Sequence, residues 1–276
     1  MNEISYNELM IGLCLSMLIY NYNENKFFII KDGHTLHDFY KNIDFHFDIY
    51  QRESLNFLYK FCPDGKIIKF IDNDKTGVQC AIIDNNNKLY IVFRGTDSYT
   101  DCLYDSICCK TFLEIDDNTI IGIHTGFYKQ FEYIYKEIID IILEYINKDY
   151  NIYITGHSLA HSLSVLLSYF IADFTTKNIK IITFGGPKIG NYEWKLTYES
   201  KKNLLLYRVI NCDDIVTTIP NINYYHVGIP IYISKENILL NNEYNYYSVS
   251  DHSIINYYNN LYGKEEIYNN LINNIK

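Results

Sequence analysis

Asn151-Ile-Tyr-Ile-Thr-Gly-His-Ser-Leu-Ala-His-Ser-Leu-Ser-Val-Leu-Leu167 is the stretch on which the fold turns. Residues 151–155 mix polar and β-branched apolar side chains in alternation, as a strand does. Residues 162–170 are apolar at helical spacing. Between them lies Gly156-His157-Ser158-Leu159-Ala160. A serine on a sharp strand-to-helix turn is a nucleophile elbow, which lifts its Oγ above the sheet. The same turn aims the amide of Leu159, at a helix N-terminus, at a developing oxyanion. Small residues are needed two before and two after the serine, because strand and helix backbones nearly touch there. Gly156 meets the first need, and Ala160 stands where glycine is usual. On these five residues alone, an ordinary Gly-Ser turn before a helix is about as good a reading. The rest of the chain decides between them.

The 276 residues are 48% hydrophobic, enough for a large core, and the net charge is −9. An acidic balance argues against nucleic-acid binding, which asks for a basic face. Seven cysteines form no regular pattern, and Cys108-Cys109 are adjacent. His34, His37 and His46 lack suitably spaced acidic partners and read as surface or packed residues rather than as a metal site. The first eight residues carry acids where a secretory leader needs bases. No run is long enough to span a bilayer, and there is no Asn-x-Ser/Thr acceptor site. The expectation is a cytoplasmic protein, with secretion left open and oligomeric state unknown.

In chain order, helix is expected over 5–21, with Ser5 and Glu8 as a capping pair, and over much of 37–61. Strands are expected at 66–71, at 77–84 and 88–94 joined by an asparagine turn, and at 111–115. A long helix follows over 128–145. After the elbow come strand 179–184, helix 192–200, strand 204–210, strands at 224–226 and 229–233, and helices over 251–262 and 264–274. Strands alternating with helices from 110 to 210 indicate an α/β fold with a mostly parallel sheet covered on both faces. No repeat or composition break marks a second domain, so residues 1–276 are read as one domain with an N-terminal helical cover over 1–75.

An elbow serine, then an acid, then a histidine is the chain order of α/β-hydrolases. Ser158 follows one strand end, Asp213 and Asp214 another, and His252 comes later beside Asp251. The chemistry asks for these types. Serine is a weak nucleophile at its free pKa, so a histidine must take its proton and return it to the leaving alcohol. A buried carboxylate must orient that histidine.

Ordered blocks then carry a resemblance. Val92-Phe-Arg-Gly-Thr96, with Ser98, Asp101, Leu103 and Asp105, is similar to an F-R-G-T-x-S-x-x-D-W-L-x-D pattern, with Cys102 replacing the tryptophan. His124-Thr-Gly-Phe127, Thr155-Gly-His-Ser-Leu159 and Thr183-Phe-Gly-Gly-Pro-Lys-Ile-Gly-Asn191 follow in order. Then come Arg208-Val209, Asp214-Ile-Val216 with Pro220, His226-Val-Gly228, and Asp251-His252. Each block is weak alone, but together they resemble the class 3 lipases, the fungal-type triacylglycerol lipases and their plant relatives.

The resemblance implies the α/β-hydrolase fold, with Ser158 as nucleophile, Asp214 as orienting acid and His252 as base. It implies an oxyanion hole from Thr96 and Leu159, Asp105 supporting the Thr96 side chain, and a lid at about 97–109. The implied substrate is an acylglycerol-type lipid ester, met at a lipid–water interface, with no metal and no cofactor. A phospholipid, galactolipid or soluble ester is the alternative substrate on the same triad. An inactive hydrolase-fold interaction module is the alternative of another class. Its motive is Ala160 and His161, which stand where the family has two glycines. Thr217 for a proline is a further departure. Asp213 competes with Asp214, and His226 with His252, the latter pair separated by reading His226 as a packed strand residue.

Overall fold

Asn86 and Asn87 both take positive φ, 47° and 66°. That is the left-handed pair a two-residue hairpin needs and asparagine tolerates. In this computed structural model, which describes residues 4–20, 30–41, 48–73, 76–95, 109–116, 118–239 and 248–273, the turn joins β2 (Val78–Asn85) to β3 (Lys88–Phe93). β1 (Lys66–Asn73) pairs antiparallel with β2. A second hairpin, β4 (Lys110–Asp116) and β5 (Thr119–His124), stands apart as a two-stranded sheet. β3 is joined in parallel by β6 (Asn151–His157), followed by β7 (Ile179–Phe184), β8 (Leu204–Asn211) and β9 (Ile229–Ile233). β10 (Ile238–Leu239) closes the edge antiparallel. The eight-stranded order is β1-β2-β3-β6-β7-β8-β9-β10. Its central strands read as continuous apolar runs because both faces are covered.

On one face lie α1 (Tyr6–Tyr20), α2 (Leu36–Lys41) and α3 (Ile49–Phe61), with the later α7 (Ile254–Leu261) and α8 (Glu265–Asn273). On the other lie α4 (Thr125–Asn147), α5 (Leu159–Ile171) and α6 (Tyr192–Ser200). Each face has its own apolar core. The α4 stripe Phe131, Ile134, Ile138 and Ile142 is buried, each side chain contributing about 1.5–3 kcal/mol.

α1 differs from its expected role as a cover. Ser5 and Glu8 do form the capping box, each accepting from the other's amide at 2.8 and 3.2 Å. The helix, however, is buried all round from Leu9 to Ile19 and is a core element. Gly12 permits this: a Cβ there would lie 3.1 Å from Thr155 Oγ1 and 3.5 Å from Ile182. Thr155 Oγ1 and Ser16 Oγ both donate to the Gly12 carbonyl. Helix α1 is thereby locked to β6 just before the elbow.

Other boundaries also moved. The 37–61 region is two helices, with α3 started by an Asp48/Gln51 capping box. Strand β5 was not expected. The strand expected at 224–226 is a loop, with Tyr225 N donating to Gly190 O and, just beyond it, Arg208 Nε donating to Val227 O. Gly228, at φ 76° against Leu206, turns the chain before the ladder with β8 begins at Ile229. No helix among the described residues is long and apolar enough to cross a membrane.

Candidate active site

β6 runs into α5 through Ser158, whose φ of 64° and ψ of −128° cost about 1–3 kcal/mol of backbone strain. The surroundings hold it there. Its N–H donates to Phe184 O of β7 at 2.9 Å, and its carbonyl accepts from His161 N at 3.0 Å. Gly156 is required, since a Cβ at 156 would lie 2.5 Å from the Ala160 Cβ. The extra methyl of Ala160 therefore occupies the space that Gly156 leaves open. His161, the bulkier departure, is accommodated from β7. A Cβ at Gly186 would lie 2.0 Å from His161 Cγ, so the missing side chain at 186 is the space the imidazole fills. His161 Nδ1 meets Thr183 Oγ1 at 2.8 Å. Burial, with the nearby Arg208 charge, pulls its pKa down to about 3, so the ring is neutral at pH 7.

The carboxyl ends of β6 and β8 and the segment before α7 bring three side chains together. His252 Nε2 lies 2.9 Å from Ser158 Oγ. His252 Nδ1 lies 2.9 Å from Asp214 Oδ2 and 3.1 Å from Oδ1. Asp214 is fully buried, and the His252 side chain is 12% exposed. Asp214 caps the 3-10 turn Ile215–Thr218, its Oδ1 accepting from Val216 N at 2.9 Å. Thr217, which replaces a proline, donates its hydroxyl to Asp214 O at 2.9 Å and secures the turn. An anionic Asp214 has only acceptors, so Nδ1 carries the proton and Nε2 is free to accept from the serine.

The other candidates fall elsewhere. His226 donates from Nε2 to Thr217 O at 2.6 Å, away from the serine. Asp213 offers its carbonyl to Ser248 N at 2.7 Å. Leu159 opens α5, where the first N–H groups of a helix have no intrahelical partner. Thr96, Asp105 and residues 97–108 of the lid expected at about 97–109 lie outside the described residues, as does His46. Thr96 directly follows Gly95, where a Cβ would lie 2.1 Å from Tyr20 Oη, 2.6 Å from His157 O and 3.2 Å from Ser158 Cβ. The chain therefore enters that segment pressed against the serine.

Two supporting residues, Tyr257 and Tyr20, were not picked out from the sequence. Tyr257 of α7 donates to Asp214 Oδ2 at 2.6 Å. Gly185, at φ 60°, makes room for this cluster, since a Cβ would lie 2.8 Å from Asp214 Oδ2 and 3.0 Å from Tyr257 Oη. His157 Nε2 lies 2.7 Å from His252 O, and its Nδ1 lies 3.0 Å from Tyr20 Oη. A carbonyl only accepts, so His157 donates from Nε2 and its Nδ1 accepts from the Tyr20 hydroxyl. Burial, reinforced by His252, drives its pKa well below the usual histidine range. Nothing local distinguishes Tyr257 or Tyr20 among 29 tyrosines.

Residues 90–224 match the family model for lipase (class 3). A lipase of Rhizopus niveus is 27% identical over 188 residues, covering 64% of this chain and 47% of the relative. Phospholipase A1-IIdelta of Arabidopsis thaliana is 32% identical over 105 residues, 36% of this chain and 26% of the relative. The aligned region thus spans about half the length, or less, of these curated relatives. Among solved structures, lipase from Rhizopus microsporus var. chinensis superposes with a TM-score of 0.69 at 21% identity, covering 90% of this chain and 85% of that one. The Rhizomucor miehei triacylglyceride lipase does so with a TM-score of 0.68 at 18% identity, covering 89% and 92%. The fold is that of the α/β-hydrolases.

Proposed function

We propose, from the match of residues 90–224 to the class 3 lipase family, that this protein is a serine hydrolase cleaving carboxylic esters of acylglycerol-type lipids. The observation that carries the reading is the unbroken run from Ser158 Oγ through His252 to Asp214, 2.9 Å at each step. His252 takes the serine proton as Oγ attacks the ester carbon. The oxyanion of the tetrahedral intermediate receives the Leu159 amide, and Thr96 with Asp105 behind it completes the hole. His252 then returns the proton to the leaving alcohol, and water repeats the sequence on the acyl-enzyme. Asp214, held by Tyr257 and Val216 N, stabilises the imidazolium. None of these steps calls on a metal or cofactor.

The inactive-module reading loses its motive, because Gly186 gives His161 its space. A phospholipid ester is a second reading of the substrate, favoured by the 32% identity to the Arabidopsis phospholipase over the matched region. The site of action is proposed to be cytoplasmic, at a lipid–water interface, with residues 97–109 as a lid. Fluorophosphonate labelling tests the mechanism whatever the substrate. Wild type should label, and Ser158→Ala should neither label nor hydrolyse a p-nitrophenyl ester. Persistent hydrolysis by a folded Ser158→Ala protein would overturn the mechanism. For the lid, Leu103→Ser should slow micellar hydrolysis far more than that of a monomeric ester. Equal losses on both would remove the lid.

A further inference from the structure

A cleft of about 550 Å³ opens beside the turn that carries Asp214. Lys188, from the loop after β7, forms one wall. Thr217, Thr218 and Ile219, from the turn after β8, form another, with His226 and Tyr232 closing it. Both loops leave the carboxyl ends of their strands, the edge that also holds Ser158 and Asp214. The charge of this cleft runs against that of the molecule. The chain carries 33 acidic residues against 24 Lys and Arg, yet no lining residue is acidic. Lys188 makes no ion pair among the described residues, and it is half-buried with its pKa lowered by burial and by the Arg208 charge. His226 spends its Nε2–H on Thr217 O, and its buried Nδ1 has no partner.

We propose that this cleft is a subsite for a phosphate-bearing head group, with Lys188 and the imidazole of His226 as its anchors. The proposal rests on the ester-hydrolase reading and selects the phospholipid over the neutral acylglycerol. A phosphate oxygen accepts from the Lys188 ammonium. The Asn221 amide at the rim adds an uncharged donor. His226 takes up one proton at Nδ1 and donates it to a second oxygen. In the empty cleft that protonation is opposed by burial and by the charges of Arg208 and Lys188. An anion offsets both charges directly. Occupancy also braces Thr217, whose carbonyl holds His226 and whose hydroxyl holds the Asp214 carbonyl. The head group is thereby bound one turn from the triad acid.

The test compares wild type with Lys188→Gln on phosphatidylglycerol micelles, on diacylglycerol micelles and on a monomeric p-nitrophenyl ester. The ratio of kcat/KM on phosphatidylglycerol to that on the monomeric ester should fall about tenfold, the loss of one charged hydrogen bond. The ratio for diacylglycerol should stay within about twofold. Parallel loss on all three substrates, or no loss on any, overturns the subsite. Inorganic phosphate titrated into Ser158→Ala by calorimetry reads the site without catalysis. Phosphate binding abolished by Lys188→Gln, together with competition against phosphatidylglycerol, supports the head-group assignment. Phosphate binding that leaves phosphatidylglycerol hydrolysis untouched overturns it in favour of a free-anion site. Failure to hydrolyse even the monomeric ester would instead sink the ester-hydrolase reading, while the calorimetric result would stand.

Discussion

The two faces of the sheet hold the elbow in different ways. On the α5 face the work is done by shape: Gly156 against Ala160, and Gly186 against His161. On the α1 face it is done by hydrogen bonds, from Tyr20 to His157 to the carbonyl of His252. Two histidines flank one serine in sequence, at 157 and 161, and both are buried and neutral. Yet one points at the base and the other at a strand. Packing has no tolerance for added volume but transmits little direction, and here it fixes where the serine is. Hydrogen bonds are directional and individually weak, and they fix where the base is relative to it. The α5 face should therefore answer to mutation chiefly in stability, and the α1 face chiefly in rate.

The largest effect should come from the base itself. His252→Gln should cost on the order of 10⁴-fold in kcat on a soluble ester while the melting temperature stays near wild type. Activity within tenfold of wild type would remove His252 from the triad and dissolve the contrast.

Gly186→Ala tests the packing face. The added methyl drives into the His161 ring and should destabilise the protein by about 1–3 kcal/mol in a urea unfolding curve. The double variant Gly186→Ala/His161→Gly should recover most of that loss, because the two positions share one volume. Additive losses would show that the ring and residue 186 are not coupled.

Tyr20→Phe tests the hydrogen-bonded face. It leaves His157 Nδ1 without its donor, at a cost of about 1–3 kcal/mol. The expected signature is a fall of about tenfold in kcat with KM unchanged, and Tyr257→Phe should behave likewise by loosening Asp214. A loss of stability with kcat intact would make both contacts structural only.

A further effect is on pH dependence. The folded pKa of His161 is about 3, against about 6.5 for an unfolded histidine. Above pH 6.5 the ring is neutral in both states and folding is unaffected. As pH falls from 6.5 toward 3, the unfolded chain binds a proton that the folded chain refuses, so stability falls. Melting temperature should therefore drop across that window, and His161→Gly should flatten the slope by up to one proton. An unchanged slope would mean that the ring is protonated in the fold. His157, also depressed, adds in the same direction.

How far the chain could be read without coordinates varies with the kind of interaction. The elbow, the parallel strands and the Ser158, Asp214 and His252 candidates were legible because each depends on local requirements: apolar periodicity, a turn without room for side chains, strand ends in order. The asparagine turn was legible for the same reason. What failed was everything set by a distant neighbour. Helix α1 looked like a cover because its sequence cannot say that both of its faces are enclosed. The 224–226 segment looked like a strand, but the Tyr225 amide is taken by Gly190 O, outside the sheet. His161 looked like an obstruction, and only the juxtaposition with Gly186, 25 residues later in the chain, makes it fit. Composition and local pattern determined the fold class and the candidate chemistry. The tertiary structure decided which histidine faces the serine, which aspartate faces that histidine, and which tyrosines hold them. Those choices depend on distances of about 3 Å between residues up to 137 positions apart, and a hydrogen bond at that range leaves no local trace in the sequence.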